Sequence, residues 1–316
     1  MATPIITDGT MERVANAPRV VLPQAGSIFA DRAARFLQVA AGHPMNDYLT
    51  LMGALAQAQH AVVGRRAPLP VADEALARSR DYGMPPMTAL SHARAPLWRD
   101  DLADLTAEME KTVAAGSMVK AVRALDDGAR EALADRILGG NTTDADAAAV
   151  PLVGAALQVY FTRAAAAIDV AQVQNFDVAT VCPVCATRPV ASVVRIGGER
   201  NNLRYLVCAL CSTEWNMARI KCSACEEDKG VHYLSMTAGK EGEPVEPASN
   251  EVGIAAARRA EACDECKSYL KIFYQEKDPN LDPFADDLAS LALDLLVDEQ
   301  GFGRSGPNLL FHPGSA

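Results

Sequence analysis

This sequence predicts a multidomain chain that pairs α-helix with a little β structure. An all-α N-terminal domain comes first, then two small four-cysteine metal modules, then a C-terminal helix. Three observations predict it. All eight cysteines lie between Cys182 and Cys266, the residues before them carry helical spacing and no cysteine, and short strand-like runs gather around the cysteine pairs. The expected domains are an irregular leader over 1–26, a helical domain over 27–175, a first metal module over 176–220, and a second module with the closing helix over 221–316.

Pro4, Pro18 and Pro23 mark the leader. It lacks the basic start and apolar core of a signal peptide. Ser27 to Val39 reads as a helix. Asn46 to Val63 is a better one, with Leu51, Leu55, Ala58 and Val62 on one face and Asn46, Thr50, Gly53, Gln57 and His60 opposite. His60 is therefore expected at the surface and not as a ligand. Pro68 and Pro70 mark a turn, Pro85 and Pro86 another, and a helix from Trp98 to Ala115 follows. Gly139 and Gly140 break the chain ahead of the capping residues Asn141 to Asp144. Pro151 to Val170 is apolar nearly all round, but Gln158 and Arg163 would be costly at bilayer depth. It is expected as a buried central helix, without membrane insertion.

The cysteines form four pairs of one kind: Cys182/Cys185, Cys208/Cys211, Cys222/Cys225 and Cys263/Cys266. A tetrahedral ion with metal–sulfur bonds of about 2.3 Å needs its thiolates roughly 3.8 Å apart. A tight Cys-x-x-Cys turn places two sulfurs that close, and two such turns close a shell. Four turns thus make two sites. Three pairings of the turns exist, and loop-closure entropy varies too slowly with length to choose among them. The strand-like runs Val190 to Ile196, Leu203 to Val207 and Val231 to Met236 favour sequential pairing, each interval holding its own ribbon. Closed all-sulfur shells suit zinc and mononuclear iron alike, and spacing alone points to structural zinc. Cys182-Pro-Val-Cys185 looks like a rubredoxin knuckle, with Ala186 where that pattern normally has Gly. Four equivalent pairs exceed what dithiol catalysis needs.

In the first module Arg188, Arg195, Arg200, Arg204, Arg219 and Lys221 can offset the thiolate charge. Glu241 to Pro247 reads as an exposed loop, and Tyr269 to Tyr274 as a strand. The last helix is expected over Phe284 to Glu299. Asp287, Asp294 and Asp298 form a narrow polar stripe on it, so the rest of its surface must be covered. Asp286 and Asp287 fit a helix-start acid pair favoured by the macrodipole better than an acid–base couple. His232 is expected on a strand surface. Neither a nucleophile constellation nor a Gly-rich phosphate loop is present. A net charge of −10 argues against nucleic acid as partner. Free thiols in metal-site spacing fit a reducing compartment, the cytoplasm.

The runs Cys208 to Cys222 (CALCSTEWNMARIKC), Tyr269 to Pro279 and Ala285 to Asp294, with Arg304 to Leu310, strongly resemble the FdhE family of formate dehydrogenase accessory proteins. The likeness runs from about Phe176 onward and is weaker over the N-terminal helices. It implies a cytoplasmic accessory protein and not an enzyme. Its partner would be the catalytic subunit of formate dehydrogenase, bound before export, with self-association left open. It implies two rubredoxin-like modules with sequential pairing, and it tips the metal from zinc toward iron at all eight cysteines. Thr213, Glu214 and Trp215, in a turn expected to be exposed, are the candidate docking residues. The alternative function is electron transfer through iron centres held by four thiolates each.

Overall fold

The computed structural model describes residues 17–174, 178–236 and 257–312. Most of the expected leader, the junction around Phe176 and the loop Glu241 to Pro247 lie outside the described residues. The first half contains α1 (Ile28–Ala40), α2 (Asn46–Gly64), α3 (Asp73–Tyr82), α4 (Leu97–Met109), α5 (Gly116–Arg123), α6 (Asp127–Gly139) and α7 (Val150–Ala166). The all-round apolar sequence of α7 has its consequence here: every residue from Val150 to Ala165 is buried, with α2, α4, α5 and α6 packed around it. Its internal charge is answered, since Arg163 lies 3.0 Å from buried Asp101 and donates to the Ala67 carbonyl at 2.8 Å. Among the described residues no helix is long and apolar enough to cross a membrane.

The predicted break after α6 is a left-handed Gly140 followed by a capping box of Thr143 and Asp146. The helix expected over Trp98 to Ala115 stops at Met109, because Thr112 takes extended backbone before a single 3-10 turn over Val113–Ala115. Periodicity did not reveal α3, α5 or α6. α3 and α5 are short, and only three side chains of each of the three helices are buried.

Among the described residues all strands join one sheet. They are β1 (Val20–Val21), β2 (Pro189–Val194), β3 (Arg204–Cys208), β4 (Glu214–Asn216), β5 (Val231–Leu234), β6 (Arg258–Cys263), β7 (Ser268–Tyr274) and β8 (Gly303–Arg304). The order is β1-β4-β3-β2-β7-β6-β5, with β8 beside β7. Two antiparallel ribbons, β2–β3–β4 and β5–β6–β7, agree with the one ribbon per interval expected from the strand-like runs, and add β4 and β6 to the expected strands. Their fusion was not expected. Ser192, Val193 and Val194 pair in parallel with Ile272, Phe273 and Tyr274, so the modules share a continuous sheet. The short β1, from within the expected irregular leader, covers the outer edge of β4, with Val20 opposite Trp215.

The closing helix is two helices, α8 (Pro283–Leu288) and α9 (Leu291–Asp298). Side chains take the backbone carbonyls that would have continued it. Lys271 Nζ donates to the carbonyls of Asp287 and Ser290, Arg258 donates to that of Ala289, and the Ser290 hydroxyl turns back onto that of Asp286. Asp286 and Asp287 also differ from the expected helix-start pair, because both are buried ion partners. Asp286 accepts from Arg35 of α1 at 2.6 and 2.9 Å and from Arg258 of β6 at 2.6 and 3.0 Å. Asp287 lies 3.1 Å from Lys271 and 2.8 Å from Arg304. Burial opposes ionisation of Asp287, but those two cations outweigh it and hold its carboxyl below the ordinary range. The stripe expectation holds for α8, which is buried throughout, and is corrected for α9, where only Leu293 and Val297 are buried and Leu295 and Leu296 are exposed. Asp287 and Asp294 of that stripe turn inward and share Lys271 and Arg304.

Candidate metal centres

Four turns present the cysteines, and they share one plan. The first cysteine's amide is bonded to the carbonyl five residues on: Cys182 to Thr187 at 2.9 Å, Cys208 to Thr213 at 2.9 Å, Cys222 to Glu227 at 2.8 Å. In the fourth turn Cys263 and Ser268, the same distance apart, face each other in the β6–β7 register. The residue after each second cysteine is left-handed: Ala186 (φ 60°), Ser212 (58°), Glu226 (64°) and Lys267 (52°). Non-glycine residues there cost about 1–2 kcal/mol each. Such strain persists where the surrounding bonds fix the turn. The geometry explains why a knuckle sequence usually has Gly at the Ala186 position, and it extends that demand to all four turns.

The turns aim their amides and hydroxyls at sulfur. Val184, Leu210 and Ala224 N–H groups lie 3.4, 3.4 and 3.3 Å from Cys182, Cys208 and Cys222 Sγ. The hydroxyls of Thr187, Thr213 and Ser268 lie 3.4, 3.1 and 2.9 Å from Cys185, Cys211 and Cys266 Sγ.

Sequential pairing is what the structure has. Cys182, Cys185, Cys208 and Cys211 gather in one cluster and Cys222, Cys225, Cys263 and Cys266 in the other, with the sulfurs of each mutually within 4.8 Å. In the first, Sγ separations are 3.3 Å (Cys185–Cys208), 3.5 Å (Cys182–Cys211) and 3.5 Å (Cys185–Cys211). In the second they are 3.7 Å (Cys222–Cys266) and 3.8 Å (Cys225–Cys263). These values approach the edge of roughly 3.8 Å expected for sulfurs about 2.3 Å from a shared tetrahedral ion.

Ionisation within the first cluster is unequal. Burial drives the Cys182 and Cys208 thiols well above their ordinary value. Burial opposes ionisation of Cys185 too, but hydrogen bonds from the three neighbouring thiols and Thr187 outweigh it and hold Cys185 well below. Four thiolates together require a cation at their centre, which is the usual coupling of metal binding to deprotonation. In the second cluster burial pushes Cys222 up to about 12, while at Cys266 the Ser268 hydroxyl and amide overcome burial and bring the thiol down to about 7. An all-sulfur closed donor set accepts zinc or iron.

The helical domain holds the first cluster's turns. Met87 and Ala89 donate to the carbonyls of Val184 and Cys185 at 3.0 and 2.9 Å. From α7, Gln158 donates to the Ala209 carbonyl at 2.9 Å, and Gln59 of α2 donates to Gln158 Oε1 at 3.1 Å. Both glutamines are fully buried. Sequence reasoning missed this role, although an uncharged polar residue inside an otherwise apolar helix was the available signal.

The expected exposure of the Thr213–Trp215 turn is corrected. Thr213 and Trp215 are buried, Trp215 Nε1 donates to the Ala179 carbonyl at 2.7 Å, and Glu214 is bound by Arg195 and Arg200. These residues close the first cluster and brace β4 in place of offering a free surface. The expected charge compensation by arginines is corrected likewise. Arg195 and Arg200 serve Glu214, Arg219 serves Asn202, and Arg204 donates to the carbonyls of Ala218, Arg219 and Lys221 just before Cys222. His232 stands on β5, 3.5 Å from Asp264. His60 is half-buried on α2, apart from both clusters.

Fold and sites together define a class of protein: a helical domain fused to paired ribbons that gather two sets of four thiols. Three family models match in succession, "FdhE, N-terminal" over residues 17–177, "FdhE, central domain" over 181–219 and "FdhE, C-terminal domain" over 220–311. The chain belongs to the FdhE family. A protein FdhE homolog of Pseudomonas aeruginosa is 40% identical over 99% of both chains, and one of Edwardsiella ictaluri is 38% identical over 93% of this chain and 92% of its own. The crystal structure of the FdhE protein from Pseudomonas aeruginosa matches with a TM-score of 0.78 at 39% identity, covering 94% of this chain and all of that one.

Proposed function

We propose that this chain is an accessory factor for formate dehydrogenase and not itself an enzyme. In this reading all eight cysteines are metal ligands, one ion to each cluster. Iron is the ion we assign, with zinc as the alternative that the same donor set accepts. The loaded modules give shape to a surface that meets the catalytic subunit of the dehydrogenase in the cytoplasm, before export. The observation that carries the reading is the pair of four-cysteine clusters within a chain similar to FdhE proteins along nearly its whole length.

The test is twofold. Protein purified anaerobically is expected to carry two ions per chain and, with iron, a visible thiolate-to-metal band. Tagged protein is expected to retain the dehydrogenase catalytic subunit, and Cys→Ser changes in the turns to release it. Undiminished binding by a metal-free, folded variant would overturn the role given to the ions. Reversible bleaching at a mid-range potential, with no subunit retained, would move the reading to electron transfer.

A further inference from the structure

One plan of turn is set in two surroundings. Around the first cluster all four cysteines are fully buried and belong to the main core, the same core that takes in Leu157 and Phe161 of α7. In the second, each turn keeps one cysteine in and one out. Cys222 and Cys263 are buried, while Cys225 and Cys266 are exposed. The sulfur contacts cross the turns, so buried Cys222 faces exposed Cys266 and exposed Cys225 faces buried Cys263. A ligand in solution therefore reaches this cluster along one side, the side of Cys225 and Cys266. The chain around that side stays open. Glu227, Asp228, Lys229, Asp264, Glu265 and Lys267 are all exposed, and Lys267 pairs with Asp264 at 3.0 Å.

We propose that the second cluster is an exchange site, where Cys225 and Cys266 give up a metal ion to thiolate ligands of another molecule or take one up, while the first cluster releases its ion far more slowly. This rests on the reading that both clusters bind metal. Cys225 and Cys266 are the ligands that leave, and Cys222 and Cys263 keep their hold until the second incoming ligand has arrived. In each displacement the incoming thiolate donates an electron pair, and the departing cysteine leaves with its own pair and takes a proton from water. No electron is transferred, so no oxidant or reductant is needed.

The experiment uses the full chain loaded with two equivalents of Co2+, whose thiolate complexes absorb in the visible, and challenges it with excess dithiothreitol as the thiolate acceptor. The expected decay has two phases of equal amplitude, the fast one roughly 100-fold faster, because release from the sealed cluster requires local opening of the core. Iodoacetamide mapping of the loaded protein is expected to mark Cys225 and Cys266 first. Cys225→Ser is expected to remove the fast phase and leave the slow one. One common release rate, or alkylation that does not favour Cys225 and Cys266, would overturn the proposal while leaving two bound ions intact. Failure to bind two equivalents of Co2+ would overturn the metal reading and this proposal with it.

Discussion

The two four-cysteine clusters are built from turns that agree in hydrogen bonding and in the left-handed residue after the second cysteine. They differ in what lies behind them. The first is part of the core it shares with the helical domain, and its turns are held by Met87, Ala89 and Gln158. The second borders a small satellite core of Ala260, Ala262, Tyr269, Leu293, Val297 and Phe302. The comparison teaches that ligand geometry alone does not set how a site behaves. The packing behind it decides whether losing a ligand is a global or a local event.

The widest gap is expected between two equal substitutions. Cys185→Ser removes a ligand from the sealed cluster and is expected to cost more than about 4 kcal/mol, in the tail reserved for lost metals or broken core networks. It should abolish cooperative unfolding, read by circular dichroism. Cys225→Ser should lower metal content to one ion per chain and leave the main transition nearly in place. Equal losses from both would erase the distinction. The next effect concerns the tie between the halves. Asp286→Ala strips buried Arg258 of its carboxylate and leaves Arg35 with Asp278 alone, and is expected to cost about 3–5 kcal/mol. Thermal unfolding should then split into a helical-domain step and a sheet step, and a single undisplaced transition would contradict the role given to Asp286. The smallest effect sharpens the likeness of the turns. Ala186→Gly relieves left-handed strain and is expected to gain about 1 kcal/mol at most, since glycine's greater freedom in the unfolded chain offsets part of the relief. Glu226→Gly should gain less, because it also gives up the hydrogen bond that Glu226 Oε1 accepts from the Ala179 amide at 2.9 Å.

Much of this was legible in the sequence. Spacing of two residues between cysteines identified the turns, and strand-like text inside each interval identified which turns belong together. An apolar stretch interrupted only by Gln158 and Arg163 gave the central helix. What stayed hidden depends on contacts between distant residues. Nothing near Ser192 announces that β2 will lie beside Ile272 of β7, because a parallel pairing leaves no local turn to read. The helix split at Ala289 depends on Lys271 and Arg258, which come from other strands. The Thr213–Trp215 turn reads as polar surface until β1 is laid against it.

Gly154 sits midway along α7, where a side chain would place its first carbon 2.2 Å from the carbonyl oxygen of Leu309. Asn308, next to Leu309, also donates to Asp287 at 2.9 Å. The helical half therefore waits, during synthesis, for a segment encoded far downstream before its middle can be sealed. Until then α7 around Gly154 lacks the backbone of Leu309 that packs on it, and such incompletely covered apolar surface is prone to association. The order in which the ribosome delivers the halves is thus the reverse of the order in which they can be finished.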